Sequence, residues 1–143
     1  MKSKILVAIQ FTAIFILCLN SIINFNFSYI AISLILLGIS IGILAISQNK
    51  LDNFNIRPDI KENCVLISSG IYKYIRHPMY SSVLISMFGV LLLNISNISL
   101  IIYFLLLINL ILKMFYEESL WNNKSKEYKI YQESTKRIIP YIF

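Results

Sequence analysis

The sequence predicts an all-α integral membrane protein with four transmembrane helices, both termini cytosolic and the last helix extending into the cytosol. Three observations predict it. Charged residues make up 14% and hydrophobic residues 57% of the 143 positions, where a soluble domain carries roughly 25% charge; mean hydropathy is +0.72. Two long stretches, Ile5 to Asn49 and His77 to Leu112, contain no charge. The thirteen Lys and Arg residues all fall outside them.

At about 20 residues per crossing, the first stretch holds two spans. It is interrupted at Asn20, Ser21, Asn24 and Asn26, which places the spans near 5–23 and 27–47. Lys2 and Lys4 before an apolar run suggest a secretory leader, but no small-x-small site follows and Leu17 does not suit lipoprotein processing at Cys18, so the segment reads as a retained span. A polar connection, 49–77, comes next. As one helix the second stretch would extend about 50 Å, against a hydrocarbon core of about 30 Å. A break at Asn94, Ser96 and Asn97 instead gives a hairpin of short spans near 79–93 and 98–115, which a locally thinned bilayer accommodates. A tail, 116–143, completes a single membrane-embedded domain, 1–143.

The cations form three groups: Lys2 and Lys4, five residues from Lys50 to Arg76, and six from Lys113 to Arg137. With four crossings all three lie on one side, which the positive-inside rule makes cytosolic. The expected location is the cell inner (plasma) membrane. A net charge of +6 on so apolar a chain does not suit a nucleic-acid binder, whose basic residues occupy a hydrated surface. The apolar content excludes a disordered chain. Cys18 and Cys64 do not make a disulfide framework, and the one histidine, His77, rules out a multi-histidine metal site, so neither metal nor nucleic acid is expected as a partner.

Two polar clusters carry the chemical information. The first ends in Ser68-Ser69-Gly70, a turn, and then Tyr72, Arg76, His77, Pro78, Met79 and Tyr80. Arg57 precedes Pro58 and is turned away from helix, whereas Pro78 suits a first helical turn. His77 then precedes a helix N-terminus, where free N–H groups, the helix dipole and Arg76 can receive a carboxylate or another anion. An ordinary interfacial aromatic belt of Tyr72, Tyr74 and Tyr80, with Arg76 as topology anchor, accounts for the same residues taken singly. In the second cluster Lys113 and Glu117 stand four apart on one helix face, and Glu118 points about 100° away. A solvated i,i+4 pair is the plain alternative there.

Taken together, Leu66-Ile67-x-x-Gly70-x-Tyr72-x-x-x-Arg76-His77-Pro78-Met79-Tyr80, a hydrophobic hairpin, Glu117-Glu118, Tyr128-x-x-Tyr131 and Thr135-x-Arg137-x-x-Pro140 strongly resemble the isoprenylcysteine carboxyl methyltransferase family. Phospholipid N-methyltransferases are similar at greater distance. The resemblance runs from about residue 54 to the C-terminus and implies S-adenosylmethionine as methyl donor. It assigns Cys64, Val65, Leu66, Ile67, Tyr72, His77, Pro78, Met79 and Tyr80 to the cofactor pocket, with Glu117 as the cofactor glutamate and Glu118 as the alternative registration. Lys113 stands where the family places an arginine near the substrate carboxylate; charge is kept and the bidentate fork is lost. Cys64 replaces a frequent histidine and Ser82 a common glycine. Arg76 and Glu118 are the further candidates for the catalytic centre.

No Gly-rich strand-turn-helix fingerprint of a soluble methyltransferase is present. An ionised carboxylate attacking an activated methyl needs alignment and water exclusion rather than a general base. An amine acceptor would need a proton acceptor, for which Glu117, Glu118 and His77 are at hand. The expected partners are a lipophilic or prenylated acceptor entering from the bilayer, and membrane lipid. A four-span transporter, a non-catalytic membrane subunit and a sterol-reductase-like enzyme are the competing classes. A transporter commonly keeps a functional ionisable residue within a span, and here the charges cluster at span ends.

Overall fold

The computed structural model describes residues 2–49, 58–59 and 64–143. Its helices are α1 (Lys2–Ile23), α2 (Tyr29–Asn49), α3 (Pro78–Leu93), α4 (Asn97–Lys124) and α5 (Lys126–Ser134), with a 3₁₀ turn over Gly70–Lys73. Helices α1, α2 and α4 are each long and apolar enough to cross a membrane. Helix α3 is apolar and about 24 Å long at 1.5 Å per residue for its 16 residues, the short span that the sequence predicts. Helix α2 starts at Tyr29 rather than 27, and α4 continues nine residues beyond 115 without a break. Arg57 lies outside the described residues.

The helices run up, down, up and down. Asn109 Nδ2 donates to Leu6 O at 3.0 Å and Asn20 Nδ2 to Ser99 Oγ at 2.6 Å, so α1 and α4 are antiparallel. Helix α2 lies against α3 in the same sense. Ser82 Oγ donates to Gly38 O at 2.7 Å, and a Cβ on Gly89 would stand 2.7 Å from Ala31 O. Glycine at these places lets two backbones approach closely, the packing that apolar helices use when lipid supplies no hydrophobic contrast. Between the pairs, Ala13, Leu17, Leu84, Val90, Leu106 and Leu110 form the core. Large side chains such as Phe15, Ile43 and Phe104 stay exposed on the outside, as lipid-facing residues do.

The two ends differ chemically. At one end the residues that interrupt the apolar stretches are knotted together: Asn20 Nδ2 also reaches Ser96 Oγ at 3.1 Å, Asn94 Nδ2 donates to Asn20 O at 2.9 Å, and Asn26 N to Leu93 O at 2.9 Å. Those bonds satisfy turn groups that would be costly to leave open near hydrocarbon. The opposite end gathers Lys2, Lys4, Lys73, Arg76, Lys113 and everything after it, so the described cations share one end as the charge map predicts. There Ser125 ends α4 and caps α5, its Oγ accepting from Glu127 N at 3.2 Å. The chain then turns back over the start of α3: Arg76 N donates to Lys136 O at 2.7 Å, His77 N to Arg137 O at 2.9 Å, and Ser81 Oγ to Ile138 O at 2.8 Å.

Candidate functional site

The site is assembled where three segments meet at the charged end: the run into α3, the extension of α4 beyond its apolar part, and the returning tail. Gly70 adopts φ +60, the left-handed region that glycine enters without strain. Its neighbour Ile71 donates N–H to Gln48 Oε1 at 2.7 Å, and Tyr72 hydroxyl donates to Ala45 O at 3.3 Å. The turn is therefore pinned to the end of α2. Tyr72 is buried, so it is a packed anchor rather than a member of an interfacial belt; Tyr74 is exposed. Tyr131 hydroxyl donates to Tyr72 O, tying α5 to the same turn. Burial, then the Glu117 carboxylate, pushes the Tyr72 phenol up to about 12.

Glu118 is the hub. Its Oε1 accepts from Arg76 Nε at 3.0 Å and stands 3.3 Å from His77 Nε2, while Oε2 accepts from Arg137 Nε at 3.1 Å and lies 3.0 Å from Arg137 Nη2. The residue is buried at 3% exposure, not solvated as the helix arithmetic alone allows. Burial pushes its carboxyl up, but His77, Arg76 and Arg137 outweigh burial and hold it at about 2. Arg76 is fixed further by Gln132 O at 3.1 Å, by Thr135 O and by Thr135 Oγ1 at 3.2 Å. Arg137 also lies over the rings of Phe115 and Phe143, 4.8 and 5.2 Å from their centroids. A carboxylate with both oxygens committed to cations is a structural clasp.

Glu117 is arranged differently. Its side chain is 29% exposed, Oε2 accepts from Tyr80 hydroxyl at 3.0 Å and lies 3.9 Å from His77 Nδ1. Among the described residues no partner takes its second oxygen. His77 stacks on Tyr80 at 5.4 Å and stands as N-cap of α3 without a side-chain capping bond, with Pro78 in the first turn. An available carboxylate oxygen stands beside the first turn of α3, where Pro78 has no N–H and the Tyr80 and Ser81 N–H groups donate to His77 O, so that Met79 N–H and the helix dipole face a carboxylate while Glu117 faces an ammonium. The arrangement can thus hold a small zwitterion.

The remaining expected residues are partly gathered. Lys113 does not pair with Glu117 although the two share a face. Its ammonium donates to Gln10 Oε1 and lies 5.2 Å from the centroid of the Tyr80 ring, and the side chain is 1% exposed. Cys64 Sγ is 3.3 Å from Lys124 Nζ, Leu66 and Ile67 are half-buried, and Val65 is exposed. Lys124 in turn lies 5.9 Å from the centroid of the Trp121 ring, which stacks on Tyr128. Burial, then Glu118, raises the Tyr128 phenol. Among the described residues no group of three or more His, Cys, Asp or Glu gathers as a metal site. Sequence reasoning missed Gln10 and Asn109; the signal was a buried amide inside an apolar helix.

The family described as phospholipid methyltransferase matches this chain over residues 27–127, more than half its length. No curated protein matches the chain significantly.

Proposed function

The chain belongs to the phospholipid methyltransferase family, and on that premise we propose that it methylates a lipid-borne acceptor with S-adenosylmethionine as donor, at the charged end of the bundle. The reading is carried by one observation: two carboxylates adjacent in sequence are used differently, Glu118 closed by Arg76, Arg137 and His77, and Glu117 left with an open oxygen at the start of α3. Bound there, the donor supplies an activated methyl group on a sulfonium centre.

The chain's own residues bind, orient and exclude water. Glu117 receives the donor's ammonium; Tyr80 holds that carboxylate in place through its hydroxyl, and His77 holds Tyr80 by stacking. Leu66, Ile67, Met79 and Tyr72 supply the apolar wall. Lys113 orients the anionic group of the acceptor, which arrives between the helices from the bilayer. Alignment and dehydration at such a site contribute several kcal/mol without a general base, which favours O-methylation of a carboxylate of the isoprenylcysteine kind. The second reading, N-methylation of an aminophospholipid, is favoured by the family match and by His77 standing between two carboxylates, 3.3 Å from Glu118 and 3.9 Å from Glu117, where it can receive the proton an amine releases. Lys113 then holds the phosphate. The active site faces the cytosol, where the polar donor resides, and the positive-inside rule sets that orientation.

The experiment is transfer of a labelled methyl group from S-adenosylmethionine by the detergent-purified protein. N-acetyl-S-farnesylcysteine and phosphatidylethanolamine vesicles are the two acceptors, with His77→Ala and Glu117→Ala beside wild type. Transfer to one acceptor, reduced more than tenfold in both variants, is expected. Transfer unchanged in both removes the site assignment, and transfer to neither acceptor removes the function.

A further inference from the structure

Helix α1 lies outside the matched residues 27–127, yet it reaches the reaction centre. Gln10 is buried at 8% exposure in an apolar helix and accepts from the ammonium of Lys113, which is buried at 1%. One turn away on α4, Asn109 is buried at 4%; its Nδ2 donates to Leu6 O at 3.0 Å and its Oδ1 has no partner among the described residues. The Leu6 carbonyl can only accept, so it fixes the amide's orientation and leaves the oxygen as the unmet group. A buried acceptor without a donor is costly, and in an apolar bundle it calls for a donor from outside the chain. Lys113 continues the path toward the donor site, because its ammonium lies over the Tyr80 ring and the Tyr80 hydroxyl holds Glu117.

We propose that Gln10, Asn109 and Lys113 form the headgroup subsite for the methyl acceptor between α1 and α4, with Gln10 as the positioning residue that aims the Lys113 ammonium. The inference rests on the methyl-transfer reading and deepens it. The headgroup it selects carries an anionic group for Lys113 and an N–H donor for Asn109 Oδ1, about 5–6 Å apart, the spacing of i,i+4 side chains on a helix. Two acceptors share that chemistry: an acylated prenylcysteine, with carboxylate and amide N–H, and an aminophospholipid, with phosphate and ammonium.

The test measures KM and kcat for N-acetyl-S-farnesylcysteine and for phosphatidylethanolamine vesicles, together with S-adenosylhomocysteine binding and thermal stability. The variants are Gln10→Leu, Gln10→Glu and Asn109→Leu. Gln10→Leu and Asn109→Leu are each expected to raise acceptor KM about tenfold, the loss of one buried hydrogen bond, with binding of S-adenosylhomocysteine within about twofold of wild type. Gln10→Glu keeps an oxygen for Lys113 and restores KM. Unchanged KM in both leucine variants overturns the subsite. So does donor-site binding that falls in parallel with KM, or failure of Gln10→Glu to restore a folded protein's KM. Wild type that binds S-adenosylhomocysteine but methylates neither acceptor also overturns it, whereas wild type that binds no S-adenosylhomocysteine refutes the donor-site reading itself.

Discussion

Replacing Glu118 with glutamine removes one negative charge and leaves two guanidinium groups, Arg76 and Arg137, and the His77 ring around a neutral amide. Arg76 and Glu118 have side chains 6% and 5% exposed, so their pair is screened little by water, whereas Arg137 at 27% is partly solvated. Breaking a buried ion pair on one side costs about 3–5 kcal/mol. The titration of the same group gives a consistent figure: its carboxyl is held at about 2 against an ordinary value of 4.5, which at about 1.4 kcal/mol per pH unit corresponds to about 3 kcal/mol. Glu118→Gln is therefore expected to lose about 3 kcal/mol, and Arg137→Met about 1 kcal/mol because water already shares that contact. The sign of the pH effect follows from the lowered carboxyl. The clasp contributes fully above the unfolded value of 4.5 and is lost as pH falls toward 2, so wild type loses stability over that window and Glu118→Gln lacks the slope. Denaturant titration in mixed micelles, followed by circular dichroism at pH 7 and pH 3, reads both quantities. A Glu118→Gln variant within about 1 kcal/mol of wild type at pH 7 would refute the clasp.

Other perturbations have equally definite outcomes. Gly89→Ala places a Cβ 2.7 Å from Ala31 O and 3.0 Å from Ile35 N, backbone atoms that do not swing aside, so a loss of about 1–3 kcal/mol is expected by thermal melting; an unchanged midpoint contradicts the close α2–α3 contact. Tyr72, pushed up to about 12, stays neutral in the fold at pH 11, so ultraviolet titration should show its ionisation only with unfolding. The phenol's raised value means that its contribution is present below pH 10 and fades as pH rises toward 12; an ordinary titration near 10 in folded protein counts against its burial. Asn20→Leu removes the two bonds to Ser96 and Ser99 at the end away from the site. It should lower stability by about 1–2 kcal/mol while leaving S-adenosylhomocysteine affinity within twofold, as a binding isotherm on the folded variant would show.

The apolar helices were legible because hydrocarbon tolerates so few charges: absence of Lys, Arg, Asp and Glu marks α1, α2 and α3 within a few residues and the start of α4, whose charged last nine residues it does not mark. Pro78 and Gly70 were legible as local backbone devices. The clasp was not, because helix geometry places Glu118 away from Glu117 but says nothing about what waits there. Its partners come from positions 76, 77 and 137, two of them on the segment preceding α3 and one on a tail that pairs with that segment only in the folded chain. The expected Lys113–Glu117 neighbourhood resolved into two separate contacts, to Gln10 and to Tyr80, since a buried ammonium takes the nearest acceptor across the helix interface. A lone glutamine in an apolar run carries no spacing pattern, so its partner appears only once α1 and α4 are seen packed.

The most direct measurement is an isotherm of S-adenosylhomocysteine binding to the purified protein and to folded Glu117→Gln. The account predicts micromolar-range saturation for wild type and at least tenfold weaker binding for the variant, about 1.4 kcal/mol or more. Equal affinity for the two proteins would contradict it.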